Sequence, residues 1–270
     1  MVGMYRGKLL KIPCYKLMFY NGFVDIGDLI LCSYITPYFH FTVAVFCSSK
    51  SLDWISGHLV YSLWMGASFN CMILAFDRFV EMVPAANVLK FLFRGKLLYM
   101  WMTLSLLYML VVWFVLRPIP FNTVVSAFIG TPLIANYETE YYHYTSFYLV
   151  IHNSTVVIML VTLYSVLYYY VRNALRRGGN IDDMPVFVQV FFVCTSTGAT
   201  AILYVLLELL AVPRSVVIAA HVVWQLSHGV HGIVYLRFNK HIRQAVFALF
   251  VKGVNNDHST NAIFTSKTKK

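Results

Sequence analysis

The stretch from Ile55 to Phe76 contains no Asp, Glu, Lys or Arg, and it constrains the fold more than any other part of the sequence. At 1.5 Å of rise per residue, about 22 helical residues extend ~33 Å, enough to cross the ~30 Å hydrocarbon core of a bilayer. The stretch ends at Asp77-Arg78, and Glu81 follows one turn later. We interpret it as the central transmembrane helix of a bundle, with a group of charged residues at one end.

Five further apolar spans surround this one, and only 12% of the chain is charged. A soluble domain carries about 25% charged residues, so lipid is the expected solvent. The spans predict an all-α, polytopic membrane helix bundle with six crossings, within residues 17–251. They cover residues 17–39, 55–76, 97–116, 144–171, 186–211 and 215–236.

The positive charges are divided unequally between the two sides of the predicted bundle. Segments on one side hold 18 of the 21 Lys and Arg residues, including the basic segment 1–16, and the other side holds three. By the positive-inside rule, the rich side is cytoplasmic and contains both termini. We therefore assign the net charge of +10 to membrane orientation and anionic lipid, and we expect no nucleic-acid partner.

The sequence after the last span predicts a short helix on the inner membrane surface. Apolar residues recur every three or four positions from Phe238 to Phe250, opposite Lys240 and Arg243. This spacing is typical of an amphipathic interfacial helix, which we place at 238–251. The polar tail, 252–270, is expected to be disordered.

Several ionisable residues fall inside the spans. Asp25 and Asp28 are three positions apart and share a helix face. They are either an interhelical hydrogen-bonding contact or a cation or proton site coupled to switching. His228 and His231 have a spacing that could chelate a metal, but a catalytic site needs a third ligand and a general base. We therefore expect no metal, no cofactor and no enzymatic activity.

Four motifs carry a resemblance to a known family. They are CYKLMFYNGFVDI (Cys14–Ile26), DRFVEM (Asp77–Met82), FVQVF (Phe187–Phe191) and WQLSHG…IVYLRFNKHIR (Trp224–Arg243). Over nearly its whole length the chain resembles the nematode serpentine receptor class T chemoreceptors, in the rhodopsin-like G-protein-coupled receptor group. The resemblance implies that the six spans match helices two to seven of a seven-transmembrane receptor, with the family's first helix expected to be missing.

The resemblance also implies a function and a location. It indicates a multi-pass chemosensory receptor of the plasma membrane, which binds a small molecule from outside and signals to a heterotrimeric G protein inside. By the same resemblance, the ciliary membrane of sensory neurons is a candidate location. A non-signalling truncated receptor fragment remains an alternative. A transporter or channel is another, in which Asp25 and Asp28 would bind the proton.

We expect the switch at the inner ends of the helices. Arg78 would pair with Asp77 at rest and present its guanidinium to a G protein after activation. Glu81, Tyr235 and Asn239 would lie at the same mouth. Alternatively, Arg78 is an ordinary arginine of the positive-inside kind, and Tyr235 and Asn239 anchor their helix at the membrane interface.

The ligand-binding candidates lie in the outer halves of the spans, where an apolar pocket with a few polar groups is expected. Each is otherwise explained by core or lipid packing. The set is Tyr61, Trp64, Met65, Tyr148, His152, Tyr204, Glu208, His221, Trp224 and Gln225.

Overall fold

The structure is a computed structural model that describes residues 1–44, 46–130, 146–177, 184–210 and 212–251. The predicted disordered tail, 252–270, lies outside these residues. The described chain forms nine α-helices and one short β-hairpin, which confirms the predicted all-α class. The helices are α1 (Val2–Arg6), α2 (Pro13–Ile30), α3 (Thr36–Phe41), α4 (Lys50–Met82), α5 (Gly95–Val115), α6 (Phe147–Arg176), α7 (Met184–Leu209), α8 (Arg214–Phe238) and α9 (Lys240–Val251).

Shorter elements connect these helices. A 3₁₀ turn, Leu9–Lys11, precedes α2, and a longer 3₁₀ segment, Pro84–Phe93, connects α4 to α5. The hairpin strands are β1 (Phe121–Asn122) and β2 (Ala127–Phe128), which pair antiparallel with Phe121 opposite Phe128.

Five of the described helices, α4 to α8, are long and apolar enough to cross a membrane. The predicted first span, 17–39, is not among them, because it is divided and carries two acids. It consists of α2, a π turn (Leu31–Ile35) and α3, which follow one another without a gap. Asp25 and Asp28 lower its hydropathy, and both are buried against other helices.

Helix α4 lies at the centre of the bundle and packs against α2, α5, α6 and α7. Its small residues, among them Gly66, Ala67, Cys71 and Ala75, are buried. Small side chains let neighbouring helices approach closely, which is how helices pack in lipid. Helix α8 completes the bundle by packing against α2 and α7.

The two helices nearest the termini pack against each other. Helix α9 begins two residues after α8 ends, and it contacts α1. A Cβ added at Gly3 would lie 2.8 Å from a methyl group of Val246, so the glycine permits this close approach. Met4, also in α1, is buried. The start of the basic segment 1–16 thus packs against the predicted surface helix.

Candidate functional site

Helix α4 connects the two halves of the candidate site. Its 33 residues extend about 50 Å at the usual rise, more than the hydrocarbon core requires. Trp64, at its middle, lines a cavity on the side predicted to be outer, and Arg78 lies near the end predicted to be inner. Both side chains are buried, with 5% exposure each.

A hairpin from the outer loop covers the cavity. The carboxylate of Asp53, in the first turn of α4, accepts a hydrogen bond of 2.7 Å from the backbone N–H of Phe121. The rings of Phe121 and Phe128 lie 6.3 and 6.1 Å from that of His221, and Phe128 also contacts Trp224. Residues 118–128 therefore form a plug over the cavity, and Asp53 holds it.

Asp53 was not predicted as a site residue. The uncharged stretch begins at Ile55, so the acid two positions earlier lay outside the predicted span. An acid in the first turn of a helix commonly accepts from a backbone N–H, usually one of the unpaired donors of its own helix. The sequence alone did not indicate that this partner would come from 68 residues away.

Gly57 lets the plug come close to α4. A Cβ at this position would lie 2.7 Å from the backbone oxygen of Ile119, so Gly57→Ala must displace the plug. We expect the free energy of unfolding to fall by about 1–3 kcal/mol, measured by thermal unfolding in lipid discs. Gly198→Ala is the control within a membrane helix, because the nearest atom to its Cβ would be a methyl carbon of Leu160 at an ordinary contact distance of 3.7 Å. Equal losses in the two variants would contradict the role of Gly57.

The cavity itself is small and apolar. It is lined by Val60, Trp64, Ile119, Phe128, Leu149, Tyr204 and Trp224, and it has room for about one water molecule. Three of these residues are ligand-binding candidates from the sequence: Trp64, Tyr204 and Trp224. A larger molecule would have to displace side chains or the plug to enter.

Polar candidates lie around the cavity in two separate hydrogen-bonded groups. The Tyr61 hydroxyl lies 2.9 Å from that of Ser146, and the Ser146 backbone N–H donates to Glu208 over 3.0 Å. The Tyr204 hydroxyl lies 3.5 Å from Nδ1 of His221. Tyr61, Glu208 and His221 are therefore brought together around the outer end of the bundle, between α4, α7 and α8.

A second polar group lies between α4 and α6. The indole N–H of Trp64 donates to the side-chain oxygen of Asn153 over 3.0 Å. One turn deeper, Nε2 of His152 lies 2.7 Å from the Ser68 hydroxyl, and its Nδ1 lies 2.9 Å from the hydroxyl of Tyr108. His152 is thus held between two hydroxyls rather than directed into the cavity.

The remaining ligand-binding candidates do not line the cavity. Met65 is buried, with 2% exposure, on another face of α4. Tyr148 is 65% exposed and faces away from the bundle interior. Gln225 is half-buried, next to the cavity residue Trp224 in the sequence. The structure therefore groups seven of the ten candidates in or around the cavity and places these three elsewhere.

The intramembrane acids form one cluster with two histidines of α8. Nδ1 of His228 and Nδ1 of His231 lie 2.8 Å from the two separate oxygens of Asp25, and Asn21 donates to Asp25 over 3.0 Å. Nε2 of His228 lies 3.3 Å from Asp28. We call Asp25, Asp28, His228 and His231 the Asp–His cluster. It joins α2 to α8, and all four side chains are buried.

The cluster lies directly beneath the cavity. The His228 ring is 6.2 Å from the ring of Trp64 and 5.9 Å from that of Trp224, and both tryptophans line the cavity. From the sequence we predicted Asp25, Asp28 and His228 as intramembrane polar residues, whereas His231 was considered as a possible metal ligand. Within the described ranges, no group of three or more His, Cys, Asp or Glu residues is arranged to hold a metal ion.

The inner end of α4 carries the expected acid–base pair. Arg78 donates to the carboxylate of Asp77 through Nε, over 3.0 Å, and through a second guanidinium nitrogen. Asp77 is 1% exposed. Glu81 is bonded differently, because its carboxylate lies 2.9 Å from Lys90 in the 3₁₀ segment after α4. The structure therefore pairs Glu81 with the inner loop rather than with Arg78.

Asn239 joins three helices at the same end. Its side-chain N–H₂ donates to the Tyr15 hydroxyl on α2 and, over 3.4 Å, to Gln189 on α7. Its side-chain oxygen accepts from the backbone N–H of Ile242 and so starts α9. Tyr235 is buried one turn earlier, and its hydroxyl has no hydrogen-bond partner in the described part of the chain. Tyr15 and Gln189 were not predicted.

A family model described as "Serpentine type 7TM GPCR chemoreceptor Srt" matches residues 1–258, which is nearly the whole chain. No curated protein matches the chain at a significant level.

Proposed function

Because the chain belongs to the serpentine type 7TM GPCR chemoreceptor family Srt, a family of membrane receptors rather than enzymes, we propose that it binds a small molecule in the outer cavity and signals to a heterotrimeric G protein at its inner face. One observation carries the proposal: the cavity residue Trp64 and the paired Arg78 belong to the same unbroken helix, α4. A displacement at one end of this helix is transmitted to the other through a rigid element.

The walls of the cavity favour a small, uncharged and mainly apolar ligand. The lining supplies aromatic and aliphatic surface, and its polar atoms are those of Tyr204 and the two tryptophans. The acids near the cavity, Asp53 and Glu208, already accept backbone hydrogen bonds. A charged ligand would lose its hydration there without gaining a free partner of opposite charge.

The inner face supplies the contact for the G protein. In the described packing Arg78 is bound to Asp77, which represents the resting arrangement. When α4 and its neighbours change their packing, the guanidinium becomes available to carboxylates or carbonyls of the partner. The ligand shifts this equilibrium only by its difference in affinity for the two packings. We propose that both termini lie on this cytoplasmic side.

The proposal is tested by nucleotide exchange on purified G proteins, with the receptor in lipid discs and a panel of small neutral apolar compounds. We expect at least one compound to accelerate exchange over empty discs. Leu149→Phe fills the cavity and should raise the half-maximal concentration by about 5–150-fold, since overpacking costs about 1–3 kcal/mol. Ile151→Phe, on the lipid-facing side of the same helix, is the control and should respond like the wild type.

Two results would contradict the proposal. The first is an equal response in both variants, which would place the ligand elsewhere. The second is exchange no faster than in empty discs for every G-protein class, with or without compounds.

A further inference from the structure

Asn153, on α6, is a buried polar residue that the proposed function does not use. Its exposed fraction is 0%, so the packing of the bundle encloses its side chain completely. An amide group in such a place is stable only when its polar atoms have hydrogen-bond partners. The bonding of its oxygen and of its nitrogen therefore indicates what this position can bind.

The hydrogen bond to Trp64 identifies the two polar atoms of the amide. An indole N–H only donates, so the atom that it meets over 3.0 Å is the side-chain oxygen of Asn153. The other atom is therefore the nitrogen of the NH₂ group, and it has no acceptor in the part of the chain that the structure describes. A buried donor without a partner costs free energy, which a ligand recovers by accepting from it.

The amide lies next to the outer cavity. Its oxygen is bonded to Trp64, which lines the cavity. On α6 it follows the lining residue Leu149 by four positions, so the two residues share a helix face. Side chains on a helix lean towards its N-terminus, and the cavity lies at the N-terminal end of α6. The Asn153 side chain therefore leans towards Leu149 and the cavity.

The walls of the cavity favour an acceptor carried by an apolar molecule. Of the polar groups in the lining, the Trp64 indole N–H is already bonded to Asn153, and the Tyr204 hydroxyl lies 3.5 Å from His221. A buried water needs two to four polar partners, and a wall of this kind is a poor site for one. A molecule with one acceptor oxygen on an apolar skeleton matches both the walls and the unpaired NH₂ group.

We propose that Asn153 binds the ligand, and that the ligand is a neutral ketone, aldehyde or ester whose carbonyl oxygen accepts from the Asn153 NH₂ group. The inference rests on the proposed function, because it assigns one group of the ligand to the proposed cavity. The aromatic and aliphatic walls surround the rest of the molecule. An alcohol is less well matched, since its own hydroxyl hydrogen also needs an acceptor.

The test compares compounds that differ only in this oxygen. Acetophenone and α-methylstyrene, for example, carry a C=O and a C=CH₂ group at the same place on the same ring. A panel of ketones, each paired with its methylene analogue, is added to the purified receptor in lipid discs. Dissociation constants are obtained from the rise of the thermal midpoint with compound concentration. We expect at least one ketone to bind about 5–150-fold more tightly than its methylene analogue.

Two variants separate ligand binding from packing. Asn153→Leu has nearly the same shape but no NH₂ group, so the ketone and its methylene analogue should bind it about equally. The variant also leaves the Trp64 N–H unpaired, but this loss acts on both compounds and cancels in their ratio. Ser68→Ala is the matched control, because it breaks another buried bond between α4 and α6, to His152 over 2.7 Å, and it should keep the wild-type ratio.

The inference is overturned if the methylene analogues bind the wild type as tightly as the ketones do, which would leave the amide to a buried water. It is also overturned if Asn153→Leu keeps the preference, or if no ketone in the panel raises the midpoint. The measurement needs no G protein. Ketone binding that depends on Asn153, without any nucleotide exchange, would therefore contradict the proposed signalling and still support the binding site.

Discussion

Replacing Arg78 with alanine is expected to abolish signalling while the receptor still reaches the cell surface. The substitution removes the guanidinium that we propose contacts the G protein, and charged hydrogen bonds of this kind contribute about 1.5–3 kcal/mol. This corresponds to a loss of about 10–100-fold in the efficiency of nucleotide exchange. Exchange is measured in membranes, and surface expression is measured with an extracellular label or by biotinylation.

Two companion variants identify the cause of the loss. Arg78→Ala also leaves Asp77 buried without its partner, which could disturb the inner end of α4. Asp77→Asn combined with Arg78→Ala removes that unpaired charge, and it should fold well and still fail to signal. Arg78→Lys keeps a positive charge without the planar fork, and it should signal only partly. Normal exchange in Arg78→Ala at equal surface expression would remove Arg78 from the switch.

Asp25→Ala is expected to be the most destabilising substitution in the bundle. It leaves Nδ1 of two buried imidazoles without their common hydrogen-bond partner. Removing one partner of a buried, charged pair costs about 3–5 kcal/mol. Unfolding is followed by the reactivity of the buried cysteines Cys71 and Cys194 with a thiol dye during heating.

Glu81→Ala is the matched control for this experiment. It also removes an acid from an ion pair, but its side chain is 28% exposed and its partner Lys90 is 26% exposed. Exposed pairs contribute about 0–1 kcal/mol, so this variant should unfold close to the wild type. If Asp25→Ala is no less stable than Glu81→Ala, the Asp–His cluster does not hold α2 and α8 together.

The sequence predicted the bundle because lipid imposes simple rules on length and charge. A stretch without charges, long enough to cross the membrane and ended by Asp77-Arg78, identifies α4 almost to its inner end. The predicted first span, 17–39, differs from the other five, because its two acids and its π turn keep it outside the set of long apolar helices. Asp25 and Asp28 are tolerated there because α8 supplies imidazoles, more than 200 residues away in the chain.

The ligand-binding candidates show where sequence reasoning is limited. Tyr148 and His152 are four residues apart on α6, yet one is 65% exposed and the other 8%. In a soluble protein polarity would separate the outer face from the inner one. In lipid both faces are apolar, so an aromatic residue gives no such indication. The plug and the contacts of Tyr15 and Gln189 depend on pairings between distant segments, which no local pattern encodes.

The π turn at Leu31–Ile35 sets the two ends of the first crossing independently. A π turn adds one residue to a helical turn and so rotates everything beyond it. Below the turn, Asp28 faces inward, and above it Phe39 stacks on Phe121 with ring centres 5.5 Å apart. The extra residue thus decouples the two registers. Substitutions in the plug that adapt the receptor to a new chemical stimulus can therefore accumulate without displacing Asp25 and Asp28.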